Sequence, residues 1–326
     1  MMKKKIMSEK SVNQMPAHYV EPMEMSFEDF PASPLQPDGM KTIVSEIKSE
    51  NPSVKLNVTY AHKDGMDLHL HIIMPRNNDS SNKTYPLIMW VQGSAFHKQN
   101  INVHLADMIE VAKLGFVVAI VEYRYAPKWS FPVQVRDLNT ATRYMLMHAN
   151  TYHLNPKTYF AWGDSSGGHT VSLAAVTENE QFFSDEDIEV SPLNFKGCID
   201  FYGPTDISRM NKVLSTQDHV TSHSLEGEFF GTKNIYKNPT LVQKANPINY
   251  IKPAAEIPPF LIMHGDKDRL VPFEQSCLLY EALRNNNKKV EFYKVKNCDH
   301  ASAKFYTPKV REMVIDFIQN TLEEKD

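Results

Sequence analysis

Apolar residues recur at every second position from Lys55 onward. Leu56, Val58 and Tyr60 fall on one side, the chain turns at Lys63-Asp64-Gly65, and Leu68, Leu70 and Ile72 repeat the alternation. This pattern predicts two antiparallel strands joined by a tight turn. After a polar surface loop at residues 76–84 the pattern changes to continuous apolar runs separated by stretches of helical spacing. The runs LIMWV (87–91), FVVAIVEY (116–123), TYFAWG (158–163), KGCIDFYG (196–203), FLIMHG (260–265) and KVEFYKV (289–295) read as strands. Residues 102–115 and 131–150 carry apolar positions at helical spacing. Unbroken apolar strands alternating with amphipathic helices predict a mostly parallel central sheet with helices on both faces, an α/β fold.

The rhythm fails in two places. Residues 1–50 are polar and interrupted by Pro16, Pro22, Pro31, Pro34 and Pro37, and are expected to form an N-terminal extension, with a short helix over Met40–Ser49, that packs over the active site. Residues 51–326 form the main domain. Within it, residues 206–258 carry helical fragments and no strand, so a small helical cap excursion is expected there, overhanging the strand ends where open parallel sheets bind ligands.

Composition narrows the partners. A chain of 326 residues with 42% apolar positions can bury roughly three quarters of its extended surface, so a core needs no metal or disulfide staple. A net charge of -4 argues against nucleic acid, whose phosphates demand a concentrated basic field. Cys198, Cys277 and Cys298 are isolated and odd in number, which fits a reducing compartment. The opening lysines are followed by polar residues where a signal peptide needs an apolar stretch, and no apolar run is long enough to span a bilayer. The expectation is a cytoplasmic protein without membrane insertion. No zinc-binding motif is present, so neither metal nor cofactor is expected.

The chemistry concentrates in TYFAWGDSSGGHTVSLAAV. Gly163-Asp164-Ser165-Ser166-Gly167 satisfies G-x-S-x-G between a predicted strand and a predicted helix, the setting in which a sharp turn exposes a nucleophilic serine. A serine needs an imidazole to accept its proton and a carboxylate to orient the imidazole. Asp266 and Asp268 follow a strand end, and His300 follows the next. Asp268, farther into its loop, is the expected acid, and Asp266 is better placed for a loop-stabilising Asx turn. The order Ser165, Asp268, His300 on successive strand ends suits a catalytic triad. Oxyanion donors are expected from the Ser166 amide and from the Ser94 and Gly93 amides after an early strand.

The blocks VQGSAF, VEYRYAP, FPVQVRDLNTA, WGDSSGGH, FYGPTD, ANPINYI, PPFLIMHGDKDRLVP and CDHA, in this order over residues 55–322, resemble the α/β-hydrolase superfamily. The likeness is to its carboxylesterase and hormone-sensitive-lipase-like branch, with bacterial acetyl and feruloyl esterase relatives. The resemblance implies an α/β-hydrolase fold with Ser165, Asp268 and His300 as nucleophile, acid and base. It also implies that Arg124 and Asp137 pin the strand and helix beside the nucleophile. Relatives read His-Gly-Gly where this chain has Gln92-Gly93-Ser94, which narrows the freedom of the oxyanion loop.

The expected reaction is hydrolysis of short-acyl esters through an acyl-enzyme, with a small-molecule ester as partner and a homodimer left open. Phe96, His97, Trp129, Phe229, Phe230 and Tyr236 are expected to wall a compact pocket. Asp164 is expected to brace its loop, His169 to pack near the sheet, and His219 with His223 to form a surface pair. Two alternatives stand beside this reading: a serine peptidase of the prolyl oligopeptidase type, and a hydrolase-fold binding protein without activity.

Overall fold

The computed structural model describes residues 19–45, 51–76, 83–177 and 180–323. The chain divides into two units, Met1–Lys48 and Ser49–Asp326. In the first unit the described residues hold only two turns, one closed by Phe30 N–H on the Ser26 carbonyl and one by Met40 N–H on the Pro37 carbonyl. The helix expected over Met40–Ser49 is absent from its described part, Met40–Ser45, where every residue is exposed and no apolar face is buried to hold a short helix. Residues 46–49 lie outside the described residues, as do 77–82 of the expected surface loop.

The second unit is built on one eight-stranded sheet. Strands β1 (Ser53–Lys63) and β2 (Met66–Met74) pair antiparallel across the turn at Asp64-Gly65, as the alternation predicts. After them come β3 (Tyr85–Val91), α1 (Leu105–Ala112), β4 (Val117–Val121), α2 (Val133–Met147), β5 (Leu154–Asp164), α3 (Ser166–Thr177) and β6 (Gly197–Phe201). The excursion then contributes α4 (Leu225–Phe229), α5 (Pro239–Lys244) and short 3-10 turns, with no strand among its described residues. β7 (Phe260–Gly265), α6 (Glu274–Asn285), β8 (Val290–Val295) and α7 (Pro308–Glu323) complete the chain.

The strands lie in the order β1-β2-β4-β3-β5-β6-β7-β8, and all pairs from β4 to β8 are parallel. β4 and β7 are buried along their whole length, which is why their sequences run apolar without alternation. Met108 of α1 and Val314 of α7 pack with Ile88, Trp90 and Ile120 on one face of the sheet. Leu138 of α2, Val171 of α3 and Leu279 of α6 pack with Leu87, Met89 and Ala119 on the other. Both faces are therefore covered, and each carries its own apolar layer.

The chain passes from β3 to β4 on one side and then returns to place β5 on the other side of β3. The loops leaving β3 and β5 thus run to opposite faces, α1 on one and α3 on the other. Such a reversal opens a crevice at the carboxyl ends of the strands. The G-x-S-x-G segment and Gly93 lie on its two sides.

Candidate active site

Ser165 sits at φ +50°, in the left-handed region, between the end of β5 and the start of α3. A non-glycine residue is held there only when its surroundings fix it. The Ser165 amide donates to the Phe201 carbonyl of β6 at 2.8 Å, and its own carbonyl accepts the His169 amide at 3.0 Å. The two motif glycines make the tight turn possible. A Cβ on Gly163 would lie 2.5 Å from the Gly167 carbonyl, and one on Gly167 would lie 2.0 Å from the Val91 carbonyl of β3. Their role is close backbone approach.

The structure brings Ser165, His300 and Asp268 together from three different strand ends. Ser165 Oγ lies 2.8 Å from His300 Nε2, and His300 Nδ1 lies 2.7 Å from Asp268 Oδ2. Ser165 and His300 remain half-buried, whereas the Asp268 side chain is closed off from solvent. Burial alone would push the Asp268 carboxyl up, but hydrogen bonds from His264 and His300 outweigh it and hold the group well below the usual carboxylate range. Its other oxygen, Oδ1, accepts the Leu270 and Val271 amides, both at 2.9 Å.

The Asx-type contacts expected of Asp266 therefore belong to Asp268. Asp266 is exposed and instead reaches across to the base loop, where its Oδ1 accepts the Cys298 amide at 3.3 Å.

His264 was not singled out by the sequence. It is fully buried, with Nε2 3.1 Å from Asp268 Oδ2 and 3.0 Å from the Val271 carbonyl, and Nδ1 2.7 Å from Ser276 Oγ. Because Nε2 faces two acceptors it carries the proton, and Nδ1 accepts from the Ser276 hydroxyl. The available signal was a polar residue at the end of the otherwise apolar run FLIMHG.

The oxyanion loop departs from expectation. The Gly93 amide donates to Asp164 Oδ1 at 2.7 Å, and the Ser94 amide donates to Ser166 Oγ at 2.9 Å, so neither is free. Gly93 is glycine because a Cβ would lie 2.6 Å from both the Asp164 carbonyl and Ser165 Cβ. Among the described residues, the amides of Ala95 and Ser166 donate to no protein group, as does that of Phe96. Asp164 braces the loop as expected, since its Oδ2 also accepts the Tyr202 hydroxyl at 3.1 Å. Ser94 Oγ donates to the His97 carbonyl at 2.6 Å and lies 2.9 Å from the Tyr123 hydroxyl, whose pKa burial pushes up to about 12.

The expected pocket wall is largely packed shut. Phe96, Phe229 and Phe230 are each about 1% exposed, and Phe96 stacks on Phe229 with centroids 3.7 Å apart. Phe131 packs against Phe229 and Phe230, closing the layer. Aromatic faces that satisfy one another present nothing to a ligand, so these residues form a packed floor that meets α3 where Phe96 and Phe229 lie edge-on to His169. Tyr236 is 53% exposed on the surface of the excursion. Trp129 is half-buried, edge-on to Tyr125 and covered by Lys128 Nζ at 4.0 Å. His97 joins the oxyanion loop to the excursion, with Nε2 2.6 Å from Glu228 Oε2.

The supporting residues are placed as follows. Arg124 forks onto Asp137, with Nη2 2.6 Å from Oδ1 and Nε 2.9 Å from Oδ2, pinning the end of β4 to α2. His169 is buried, donates to the Ala245 carbonyl at 2.8 Å and is kept neutral, since burial lowers its pKa to about 4. His219 is not a surface residue: it is buried against Glu226 Oε1 at 3.0 Å and the Leu270 carbonyl at 3.0 Å. His223 is exposed. All three cysteines are free thiols. Among the described residues no cluster of three metal-ligating side chains occurs and no helix is long and apolar enough to cross a membrane.

Residues 70–283 match the BD-FAE family. The chain is similar to two esterases of Mycobacterium tuberculosis. It is 26% identical to esterase LipQ, over 65% of this chain and 49% of that protein. To esterase LipC it is 27% identical, over 64% of this chain and 51% of that protein. The chain thus spans about half the length of these relatives. Among solved structures it is similar to a truncated form of a carbohydrate esterase from gut microbiota, with a TM-score of 0.74 and 24% identity over 84% of this chain and 98% of that one. The shared architecture is that of the α/β-hydrolases.

Proposed function

The chain belongs to the BD-FAE family, and from the arrangement at its elbow we propose that it is a serine carboxylic-ester hydrolase acting on short-acyl esters. The observation that carries the reading is the unbroken hydrogen-bonded line from Ser165 Oγ through His300 to Asp268, at 2.8 and 2.7 Å, on a left-handed elbow. His300 Nε2 accepts the Ser165 proton as Oγ attacks the ester carbonyl. Asp268 holds Nδ1–H in place and stabilises the imidazolium that forms. The tetrahedral oxygen is received by the Ala95 and Ser166 amides, helped by the positive end of α3. His300 then protonates the departing alcohol, and a water activated by the same imidazole releases the acid and restores Ser165.

The sealed aromatic floor of Phe96, Phe229 and Phe230 supports the short acyl group, because a long chain finds no open apolar channel there. The reading is tested with a fluorophosphonate probe and a panel of matched ester and peptide substrates. Labelling of Ser165 together with turnover of acetyl and butyryl esters supports it. An unlabelled protein inert toward esters would leave the binding-protein alternative, and preference for peptides would leave the peptidase.

A further inference from the structure

The oxyanion loop holds two consecutive non-glycine residues in the left-handed region, Ala95 at φ +52° and Phe96 at φ +64°. Such a pair does not persist unless its neighbours over-determine it. Part of the restraint is internal: the His97 amide donates to the Ser94 carbonyl at 3.0 Å, and Ser94 Oγ donates to the His97 carbonyl at 2.6 Å. The Ala126 amide also donates to the Phe96 carbonyl at 2.9 Å, and a segment more than 120 residues away adds a further hold. The His97 ring bridges the loop and that segment, with Nδ1 2.8 Å from the Ala95 carbonyl and Nε2 2.6 Å from Glu228 Oε2. One residue on, Phe229 stacks on Phe96 at 14°. α4 thus holds Phe96 by stacking and His97 by a charge-assisted contact, and reaches Ala95 through the His97 ring.

The gripping element is itself fixed. Ser224 Oγ caps α4 by accepting the Gly227 amide at 3.0 Å, and the Phe229 carbonyl accepts the Phe131 amide at 2.9 Å. Gly227 is seated so closely that a Cβ would lie 2.0 Å from the Thr221 carbonyl. The excursion therefore presents Glu228 and Phe229 at a set position, to which the loop conforms.

We propose that His97 and Glu228 are positioning residues, through which the excursion holds the oxyanion loop in its left-handed turn and keeps the Ala95 amide available to the tetrahedral oxygen. This rests on the ester-hydrolase reading above and assigns the excursion a part in transition-state stabilisation beyond that of a cover. Neither side chain acts on substrate. Oxyanion donors work only within a few tenths of an ångström of their place, and a displacement near 1 Å costs about 100-fold in rate.

The test uses the full chain with Glu228→Gln, His97→Gln and the double variant. Steady-state kinetics on p-nitrophenyl acetate are compared with inhibition by an alkyl trifluoromethyl ketone, which forms a tetrahedral adduct. Each single variant is expected to lose about 10- to 100-fold in kcat with KM within about two-fold of the parent. The double variant is expected to lose no more than the worse single one, because the two residues act as one clasp. The ketone inhibition constant should weaken in step with kcat/KM while the melting temperature of Glu228→Gln stays at the parent value. Changes confined to KM, or a kcat within two-fold of the parent in Glu228→Gln, overturn the proposal. Glu228 is partly exposed, so that variant remains decisive if His97→Gln fails to fold. A parent protein inert toward both ester and ketone would instead overturn the ester-hydrolase reading.

Discussion

His264 Nε2 and His300 Nδ1 converge on a single oxygen of Asp268, Oδ2, at 3.1 and 2.7 Å. With two amides on Oδ1, the carboxylate has all its acceptor directions filled and points at His300 in one orientation. Because the carboxyl is depressed in the folded protein, its contribution to stability is complete above the ordinary carboxylate value and is lost only as pH falls through the lowered one.

Asp268→Asn presents an amide where the imidazole requires an acceptor, and it is expected to lower kcat for p-nitrophenyl acetate by roughly 10³–10⁴-fold, the size found for the protease example of this substitution. Asp266→Asn keeps an acceptor for the Cys298 amide and should lower kcat by less than about ten-fold. Comparable losses in two variants with the parent circular dichroism would remove Asp268 from its assigned role.

Ser165→Ala is expected to abolish covalent labelling and reduce ester turnover by several orders of magnitude. Ser166→Ala keeps the backbone amide but removes the acceptor of the Ser94 amide, so a loss of about ten-fold or less is expected. Intact-mass and peptide mapping of the inhibited protein decide the matter: an adduct on Ser166 would reassign the nucleophile.

Asp200 on β6 gives the fold a pH dependence separate from catalysis. Burial raises its pKa to about 7, against the pull of the Gly203 amide and the Ser172 hydroxyl. The native protein then holds a proton that the unfolded chain releases near the ordinary carboxylate value. Stability from this group is full below that value and declines as pH rises toward about 7. Asp200→Asn removes the decline and can still accept the Gly203 amide. Its melting temperature relative to the parent should climb between pH 4.5 and 8, corresponding to roughly 3 kcal/mol in stability at about 1.36 kcal/mol per unit. A constant difference across that range would contradict the assignment.

The packed floor bears on acyl length. Each newly buried methylene would add about 0.8 kcal/mol if apolar surface were open to it. With Phe96, Phe229 and Phe230 closed on one another, acetate to butyrate esters should be hydrolysed well and activity should fall by octanoate. Rates that kept rising through C8 and C10 below the micelle concentration would show an open groove.

The strands and the strand-end placement of Ser165, Asp268 and His300 were legible because burial on both faces writes itself as unbroken apolar runs. The sheet turns those runs into neighbouring loops. The Ser166 amide was legible from the same motif, but which amide of the loop after β3 is left free was not. Whether the Gly93 N–H is free depends on Asp164, 71 residues away, and no local pattern carries that pairing. The same holds for the aromatic residues. Phe96 and Phe229 read as pocket walls because composition cannot tell a ring offered to a ligand from one stacked on another ring. His219 read as surface because its burial is set by Leu270, on a loop it meets only after folding.

β8 closes one end of the sheet, with partners on a single side and side chains largely exposed, Glu291 and Lys294 among them. His300 hangs five residues beyond its last position. An edge strand is where fraying begins, since fewer contacts restrain it than restrain the interior. Opening of this one edge carries the imidazole away while the other seven strands remain paired. Ester turnover is therefore expected to fall on heating before the secondary structure melts, an order that activity and circular dichroism followed over one temperature ramp would check.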